Sequence, residues 1–143
     1  MLCSTAEDLF AFARAFAGKL AKDDLVLLYG SLGAGKTLFV KGLCSGLGVD
    51  ADGVSSPTFT LMHTYACVSN IIFHFDLYRL SEIEEFFLIG GGEVLGRQIC
   101  LIEWPQLIEG ILPTRYISVR IDILTDSSRQ VHIVRQPGGE VIS

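Results

Sequence analysis

The eight residues at positions 30–37 carry the most specific chemical signal in the chain. They read GSLGAGKT and match the pattern G-x-x-x-x-G-K-[ST] at every position. In such a loop glycines let backbone amides approach phosphate oxygens, the lysine reaches the β- and γ-phosphates, and the hydroxyl binds Mg²⁺. We therefore predict that this phosphate loop binds a nucleoside triphosphate through Leu32, Gly33, Ala34, Gly35 and Lys36, with Thr37 as a Mg²⁺ ligand.

The flanking residues favour this interpretation over a glycine-rich surface turn that matches by chance. Residues 25–29 (LVLLY) form an apolar run typical of a strand buried on both faces. A helix is predicted from about Lys36 to Gly46 or Gly48, where a glycine can end it in the left-handed conformation. The pattern thus lies between a strand and a helix, which is the context that a phosphate loop requires.

Two acidic residues are candidates for completing the site. Asp76 follows the apolar run IIFHF, and Glu103 follows ICLI. Ligands of open α/β sheets bind outside the carboxyl ends of the strands, and a phosphate loop needs an acid there for Mg²⁺. We predict that both carboxylates have catalytic or metal-binding roles. For each, the alternative is an acid that caps its strand or pairs with a base such as Arg79.

Two further residues are candidates on weaker grounds. Thr58, in Ser55-Ser56-Pro57-Thr58, follows a polar loop and can sense the γ-phosphate, so we call residues 55–58 the switch segment. The alternative is a loop threonine that is fixed by Pro57 and caps a strand. Trp104 either borders the nucleotide site or packs under the sheet. The histidines are interpreted as packed or surface residues: His63, His74 and His132.

The remaining pattern indicates how these residues are positioned. Strand, phosphate loop and helix, followed by mixed strands and helices, predict an α/β fold, a P-loop NTPase three-layer sandwich with a mixed, mainly parallel sheet. We expect a single domain over residues 1–143. A capping box between Ser81 and Glu84 predicts a helix from Ser81 to the glycines at 90–92. The other predicted elements are a helix at 6–20, an antiparallel pair at 58–65 and 71–75, and strands at 99–102, 116–123 and 131–134.

Composition narrows the class of function. With a net charge of −5 and only four lysines, the chain is a poor candidate for gripping nucleic acid alone, so we expect any RNA to be held by a partner. No N-K-x-D guanine motif and no arginine cluster occurs, which disfavours a Ras-type GTPase and a small-molecule kinase. Four scattered cysteines indicate reduced thiols. No apolar run reaches the roughly 20 residues of a membrane span. We expect a cytoplasmic protein that hydrolyses weakly on its own.

Taken together, the motifs resemble one family. In order along residues 25–123 they are GSLGAGKT, SSPTFTLMHTY, HFDLYRL, EEF with a glycine a few residues on, and LIEWPQ. This series is similar to the TsaE family, small bacterial P-loop ATPases needed for making threonylcarbamoyladenosine in tRNA. The SPT-x-T-L and HFDLYRL motifs are far more specific than the phosphate loop by itself.

The resemblance implies ATP and Mg²⁺ as cofactors, with Lys36 and Thr37 as the nucleotide-binding pair. It implies that Thr58 is a switch threonine and that Asp76 and Glu103 are the acids of the family's HF-D and EWP motifs, with Trp104 beside the latter. It implies partners of the TsaD and TsaB type, the threonylcarbamoyl transferase subunit and its inactive paralogue, and contact with tRNA only indirectly. It also implies an adenine pocket between residues 3–5 and 127–129.

Departures from the family pattern leave alternatives open. Ser31 replaces the usual aspartate, Leu38 replaces a second threonine, and Val94 replaces an aromatic residue. None of these removes an expected phosphate or metal contact. One alternative is a nucleotide-gated scaffold with negligible hydrolysis, and a more distant one is a small-molecule kinase.

Overall fold

Eight strands form one mixed sheet in the computed structural model, which describes residues 1–143. In chain order they are β1 Leu2–Cys3, β2 Leu25–Tyr29, β3 Met62–Ala66, β4 Ile71–Asp76, β5 Ile99–Glu103, β6 Tyr116–Ile123, β7 Arg129–Gln136 and β8 Glu140–Val141. The order β6-β2-β5-β4 forms a parallel centre. Antiparallel strands extend it, with β7 beside β6, β1 and β8 beside β7, and β3 beside β4.

Helices cover both faces of this sheet. They are α1 Ala6–Phe16, α2 Lys36–Gly46, α3 Ile83–Leu88 and α4 Gly91–Val94, with 3₁₀ segments at Ala17–Lys19, Ala51–Gly53 and Pro105–Ile111. Alternate residues of β2 point to opposite faces: Val26 and Leu28 pack in the core with α1 and α2, whereas Leu25 and Leu27 pack with Phe86 of α3. The predicted α/β class, the three layers and the mixed sheet are therefore confirmed.

The first helix begins where the sequence predicts it. The Thr5 hydroxyl accepts a hydrogen bond from the Asp8 amide at 3.1 Å, and Glu7 and Asp8 lie in the first turn. These acids favour the positive end of the helix dipole. The α-helix ends at Phe16, and the 3₁₀ turn that follows accounts for the helical pattern predicted up to Leu20. None of the helices has both the length and the apolarity that crossing a bilayer demands.

The predicted strand at 58–65 starts four residues too early. Residues 58–61 form a turn instead, because the Leu61 amide donates to the Pro57 carbonyl at 2.6 Å and Leu61 takes a left-handed φ of 72°. The strand β3 begins at Met62 and pairs antiparallel with β4, as predicted. The correction places Thr58 in a turn rather than on a strand.

The helix after Ser81 also begins differently from the prediction. Two capping boxes overlap in the sequence SEIEE, and the structure uses Glu82 with Glu85 rather than Ser81 with Glu84. The Glu85 carboxylate also accepts hydrogen bonds from the amide and hydroxyl of Ser81. The helix then ends at Leu88, before the glycines, and Gly90 at φ 89° separates it from the short α4.

Candidate functional site

One cavity of about 310 Å³ contains all the site residues predicted from the sequence. It lies at the carboxyl ends of the parallel strands β4 and β5, where the phosphate loop meets the switch segment. The predicted residues that line it are Leu32, Gly33, Ala34, Gly35, Lys36, Thr37, Thr58, Asp76, Glu103 and Trp104. Leu38, Ser56 and Tyr78 complete the lining.

The phosphate loop joins the end of β2 to the start of α2. Gly33 and Gly35 take left-handed φ values of 80° and 108°, and a Cβ on Gly35 would lie 2.7 Å from Leu9 Cδ2. The amides of Gly33, Gly35, Lys36 and Thr37 donate no hydrogen bond to another backbone group. A glycine turn at a helix N-terminus with free amides is suited to phosphate oxygens.

Lys36 is a buried cation within this loop, with a relative exposure of 5%. Its Nζ donates to the carbonyls of Gly30 at 2.6 Å and Ser31 at 3.1 Å. It also lies 3.9 Å from the centroid of the Trp104 ring. Burial lowers the pKa of Lys36, and the nearby carboxylates of Glu103 and Asp76 oppose that shift.

The two predicted carboxylates lie side by side. Asp76 ends β4, Glu103 ends β5, and the two residues are paired in the parallel register. Both are buried. The Thr37 hydroxyl lies 3.0 and 3.1 Å from the two carboxylate oxygens of Glu103. The first turn of α2 is therefore in direct contact with the acid at the end of β5.

Asp76 is hydrogen-bonded to the switch segment. Its Oδ2 accepts from the Thr58 hydroxyl at 3.0 Å and from the Ser56 hydroxyl at 3.3 Å, and these hydroxyls are 2.6 Å apart. Its Oδ1 accepts from the Tyr78 amide at 3.0 Å. Arg79 lies over the Phe59 ring at 4.9 Å and forms no ion pair with Asp76.

His74 contacts the site, although the sequence suggested only a packed or surface residue. It is fully buried, and its Nε2 lies 2.6 Å from Glu103 Oε2. Its Nδ1 lies 2.9 Å from the Tyr65 hydroxyl. The sequence signal for this role was its position two residues before Asp76. Alternate residues of a strand face the same side, so this spacing puts His74 and Asp76 on one face of the sheet. His132 is exposed.

Trp104 borders the cavity rather than packing under the sheet. Its backbone is left-handed, at φ 56° and ψ 59°, immediately before Pro105. Non-glycine residues in this region cost about 1–3 kcal/mol each and cluster at functional sites. The ring centroid lies 4.8 Å from that of Tyr78 and 3.9 Å from Lys36 Nζ.

A second cavity of about 390 Å³ adjoins the first through Ala34, Gly35 and Leu38. Of the segments implied as an adenine pocket, residues 3–5 and 127–129, this cavity is lined by Thr5, Ser127 and Arg129. Cys3 is buried in the core and does not reach it.

Arg129, the first residue of β7, links the phosphate loop to the start of that strand. Its guanidinium donates to the Ala34 carbonyl at 2.9 Å and the Gly33 carbonyl at 3.3 Å. The same group donates to the Thr125 carbonyl at 2.9 Å, so one side chain links the loop to the turn before β7.

The donor set fits a hard cation and a phosphate chain. Thr37, Asp76 and Glu103 offer only oxygen atoms, which Mg²⁺ prefers, usually with one or two carboxylates and the remaining positions filled by water and phosphate. No group of three or more His, Cys, Asp or Glu is arranged as a metal cage. The free amides and Lys36 supply the complementary groups for phosphate oxygens.

Comparison with known proteins gives one consistent result. Residues 3–131 match the family model described as threonylcarbamoyl adenosine biosynthesis protein TsaE. A protein named tRNA threonylcarbamoyladenosine biosynthesis protein TsaE from Rickettsia bellii is 37% identical over 135 residues, 94% of each chain. The proteins of the same name from Treponema pallidum and Haemophilus influenzae are 37% and 38% identical, covering 90% and 94% of this chain and 95% and 89% of theirs.

A solved structure supports the same relationship. The crystal structure of Bacillus subtilis YdiB superimposes with a TM-score of 0.71 and is 30% identical. The match covers 96% of this chain and 84% of that one. The shared architecture therefore extends over nearly the whole molecule.

Proposed function

The chain belongs to the TsaE family of threonylcarbamoyl adenosine biosynthesis proteins, and from this membership we propose that it is an ATP-binding, Mg²⁺-dependent accessory ATPase for N6-threonylcarbamoyladenosine formation at position 37 of tRNA. The observation that carries the proposal is the contact between the Thr37 hydroxyl and Glu103. This contact joins the phosphate loop to the only carboxylate that reaches it by a hydrogen bond.

Phosphate binding is assigned to the loop and its lysine. The free amides at the start of α2 donate to phosphate oxygens, and the helix dipole favours their negative charge. Lys36 exchanges the Gly30 and Ser31 carbonyls for the β- and γ-phosphates. Because the site is buried, this charge interaction is screened less than it would be in water.

Metal binding is assigned to Thr37, Glu103 and Asp76. The direct Thr37–Glu103 contact supports Glu103 as the acid closer to the metal, and Asp76 as the acid that faces the switch segment. Bound Mg²⁺ supplies charge neutralisation for the phosphoryl oxygens. The protein's contribution is to hold these oxygen donors in a buried position beside the phosphate loop.

The switch segment is the part that responds to the γ-phosphate. Ser56 and Thr58 are joined to Asp76 through side-chain hydroxyls. A triphosphate with its metal offers these hydroxyls competing oxygens and charge, so its arrival rearranges the segment. We propose that this rearrangement changes the affinity for the partner proteins.

The partners are of the TsaD and TsaB type, the threonylcarbamoyl transferase subunit and its inactive paralogue, and the setting is the cytoplasm. The net charge of −5 supports only indirect contact with tRNA, since phosphate-backbone affinity comes from Lys and Arg. The transfer to adenosine is then the chemistry of the partner. Hydrolysis of ATP by this chain resets the complex between turnovers.

The experiment that tests this function measures ATP hydrolysis by the purified chain, alone and with the transferase pair and tRNA. Lys36→Ala is the variant that removes the phosphate contact. We expect slow hydrolysis alone, stimulation by the pair, and loss of both in Lys36→Ala. Binding of ATP without any hydrolysis or stimulation would contradict the ATPase and favour the nucleotide-gated scaffold, which the uncharged Ser31 beside the phosphates makes the next candidate.

A further inference from the structure

The switch segment is connected to the two acids of the site by two separate routes. The first is direct, through the hydroxyls of Ser56 and Thr58 to Asp76. The second begins at the Ser55 carbonyl, which accepts from the Tyr65 hydroxyl at 3.2 Å. It continues from Tyr65 to His74 and ends at Glu103.

The second route is enclosed within the protein. His74 is fully buried, and Tyr65 and Glu103 are 7% and 3% exposed. The Tyr65 and His74 rings lie 5.9 Å apart at 43°, on neighbouring strands β3 and β4. Buried polar groups with defined partners hold each other in one arrangement, because losing a partner leaves an unpaired polar atom in a low dielectric.

The protons along this route place Tyr65 between two acceptors. A carboxylate only accepts, so Nε2 of His74 carries the proton that bonds Glu103. In the neutral tautomer that carries this proton, Nδ1 is an acceptor and its donor is the Tyr65 hydroxyl. Burial raises the pKa of Tyr65 to about 12, so the hydroxyl keeps its proton at neutral pH. This one proton serves either the Ser55 carbonyl or His74.

We propose that Tyr65 and His74 are positioning residues that couple the switch segment to the orientation of the Glu103 carboxylate. The proposal rests on the ATP and Mg²⁺ site described above. When the segment moves away from Tyr65, the hydroxyl keeps its proton and donates its hydrogen bond to His74 alone, which then holds Glu103 more firmly. Movement at Ser55 is in this way transmitted to the metal site without any contact between the segment and Glu103.

His63 gives an internal comparison for the same segment. Its Nδ1 lies 3.2 Å from the Ser55 carbonyl and its Nε2 lies 2.8 Å from the Thr60 hydroxyl. It therefore contacts the segment at the same atom as Tyr65, but it has no hydrogen bond to Glu103. The His63 ring also packs edge-on against the rings of Tyr65 and His74, with centroids 6.3 and 6.5 Å away. His63→Phe keeps an aromatic ring in this place and deletes the hydrogen bonds to the segment, whereas Tyr65→Phe deletes a hydrogen bond of the route itself.

The test is a Mg²⁺ titration of the full chain saturated with a non-hydrolysable ATP analogue. The signal is the fluorescence of Trp104, the single tryptophan, and the measured quantity is the Mg²⁺ concentration that gives half of its change. Removing a hydrogen bond worth about 0.5–1.5 kcal/mol corresponds to roughly two- to twelvefold, so Tyr65→Phe should raise this concentration by that factor. His74→Asn should raise it roughly 10- to 100-fold, the range for residues that hold a metal ligand. Affinity for the analogue without Mg²⁺ should stay unchanged.

Three controls separate this role from general damage. Tyr116→Phe removes a hydroxyl at the opposite end of the parallel strands and should behave as the unmodified protein. His63→Phe should leave the Mg²⁺ concentration unchanged, because it keeps a ring beside Tyr65 and His74 and removes no hydrogen bond to Glu103. His74→Gln should recover part of the Mg²⁺ affinity that His74→Asn loses, because the glutamine amide reaches further towards Glu103 than the asparagine amide. A merely structural role does not produce this order of the two variants.

The outcomes distinguish this inference from the proposed function. A normal Mg²⁺-dependent signal that Tyr65→Phe leaves unchanged would overturn the positioning route while the ATP site stands. Equal effects of His63→Phe and Tyr65→Phe would also overturn it, because the lost contact with the segment would then account for the change. No Mg²⁺-dependent signal in the unmodified protein would overturn the proposed function together with the route.

Discussion

The phosphate loop and the switch segment face the same cavity, but the protein holds them in different ways. The loop is fixed through its backbone: Gly35 packs against Leu9, Ala34 is buried, and Arg129 bonds two loop carbonyls. In the switch segment Ser55 and Ser56 are exposed, and the hydroxyls of Ser56 and Thr58 bond the Asp76 carboxylate.

This difference indicates a division of tasks within one site. A backbone-determined loop keeps its shape whether or not phosphate is bound, so its binding groups are ready in advance. Hydroxyl contacts to a carboxylate are individually worth about 1 kcal/mol and are replaced at little cost by a metal and a phosphate. The loop is therefore suited to binding nucleotide, and the switch segment to reporting which nucleotide is bound.

The largest expected effect comes from removing the charge of the loop. Lys36→Ala should weaken ATP binding on the order of 100-fold, because hydrogen bonds to charged groups contribute about 1.5–3 kcal/mol each. Titration followed by Trp104 fluorescence measures the dissociation constant. Lys41→Ala, on the same helix but outside the cavity, is the charge-matched control. Equal weakening by both variants would show that net charge, not the loop, determines affinity.

A second variant tests whether the loop is held by its backbone. Gly35→Ala should lower the free energy of unfolding by about 1–3 kcal/mol, because alanine must adopt a left-handed φ. Its Cβ must also displace the Leu9 side chain. Gly33→Ala is the matched comparison, since Gly33 is also left-handed but its Cβ would meet nothing within 4 Å. Urea unfolding that ranks Gly33→Ala as the more damaging would contradict this packing.

A third variant tests whether the switch segment senses the nucleotide through a side-chain hydroxyl. Thr58→Val keeps the side-chain shape and deletes the hydroxyl that bonds Asp76. The preference for ATP over ADP in the presence of Mg²⁺ should fall by roughly tenfold, the equivalent of about 1.4 kcal/mol. The free energy of unfolding should change by less than in Gly35→Ala. An unchanged nucleotide preference would remove Thr58 from the sensing role.

The smallest effect concerns the pH dependence of stability. Burial lowers the pKa of Lys36 below 10.5, so at alkaline pH the native state binds fewer protons than the unfolded state. The free energy of unfolding therefore gains a component that rises as the pH approaches 10.5. Urea unfolding across this range should show a more positive slope for the unmodified protein than for Lys36→Met. Parallel slopes would contradict a lowered pKa.

The sequence was sufficient to predict the loop and both acids, but not every contact between them. The placement of Lys36, Asp76 and Glu103 was predictable because each directly follows a turn or an apolar strand, although the sequence left both acids open to a capping or ion-pairing role. His74 was missed as a site residue because an apolar strand containing one histidine looks the same whether that residue packs or bonds an acid. Its partner Glu103 lies 29 residues away, so only the parallel register of β4 and β5 brings them together.

The errors in local structure have a similar origin. The strand predicted from Thr58 failed because the Pro57–Leu61 hydrogen bond and the left-handed Leu61 are not visible in an apolar alternation. The shift of the capping box from Ser81 to Glu82 arose because two boxes overlap by one residue. In both cases the type of element was predicted correctly and its first residue was wrong.

Amide hydrogen exchange in the two regions, with Mg²⁺ and either ADP or ATP, tests the division of tasks most directly. We expect the loop amides of Gly33, Gly35 and Lys36 to be protected by both nucleotides. We expect exchange in the switch segment to change only with ATP. A switch segment that exchanges identically with ADP and ATP, while the loop is protected by both, would contradict the central claim that this segment reports the γ-phosphate.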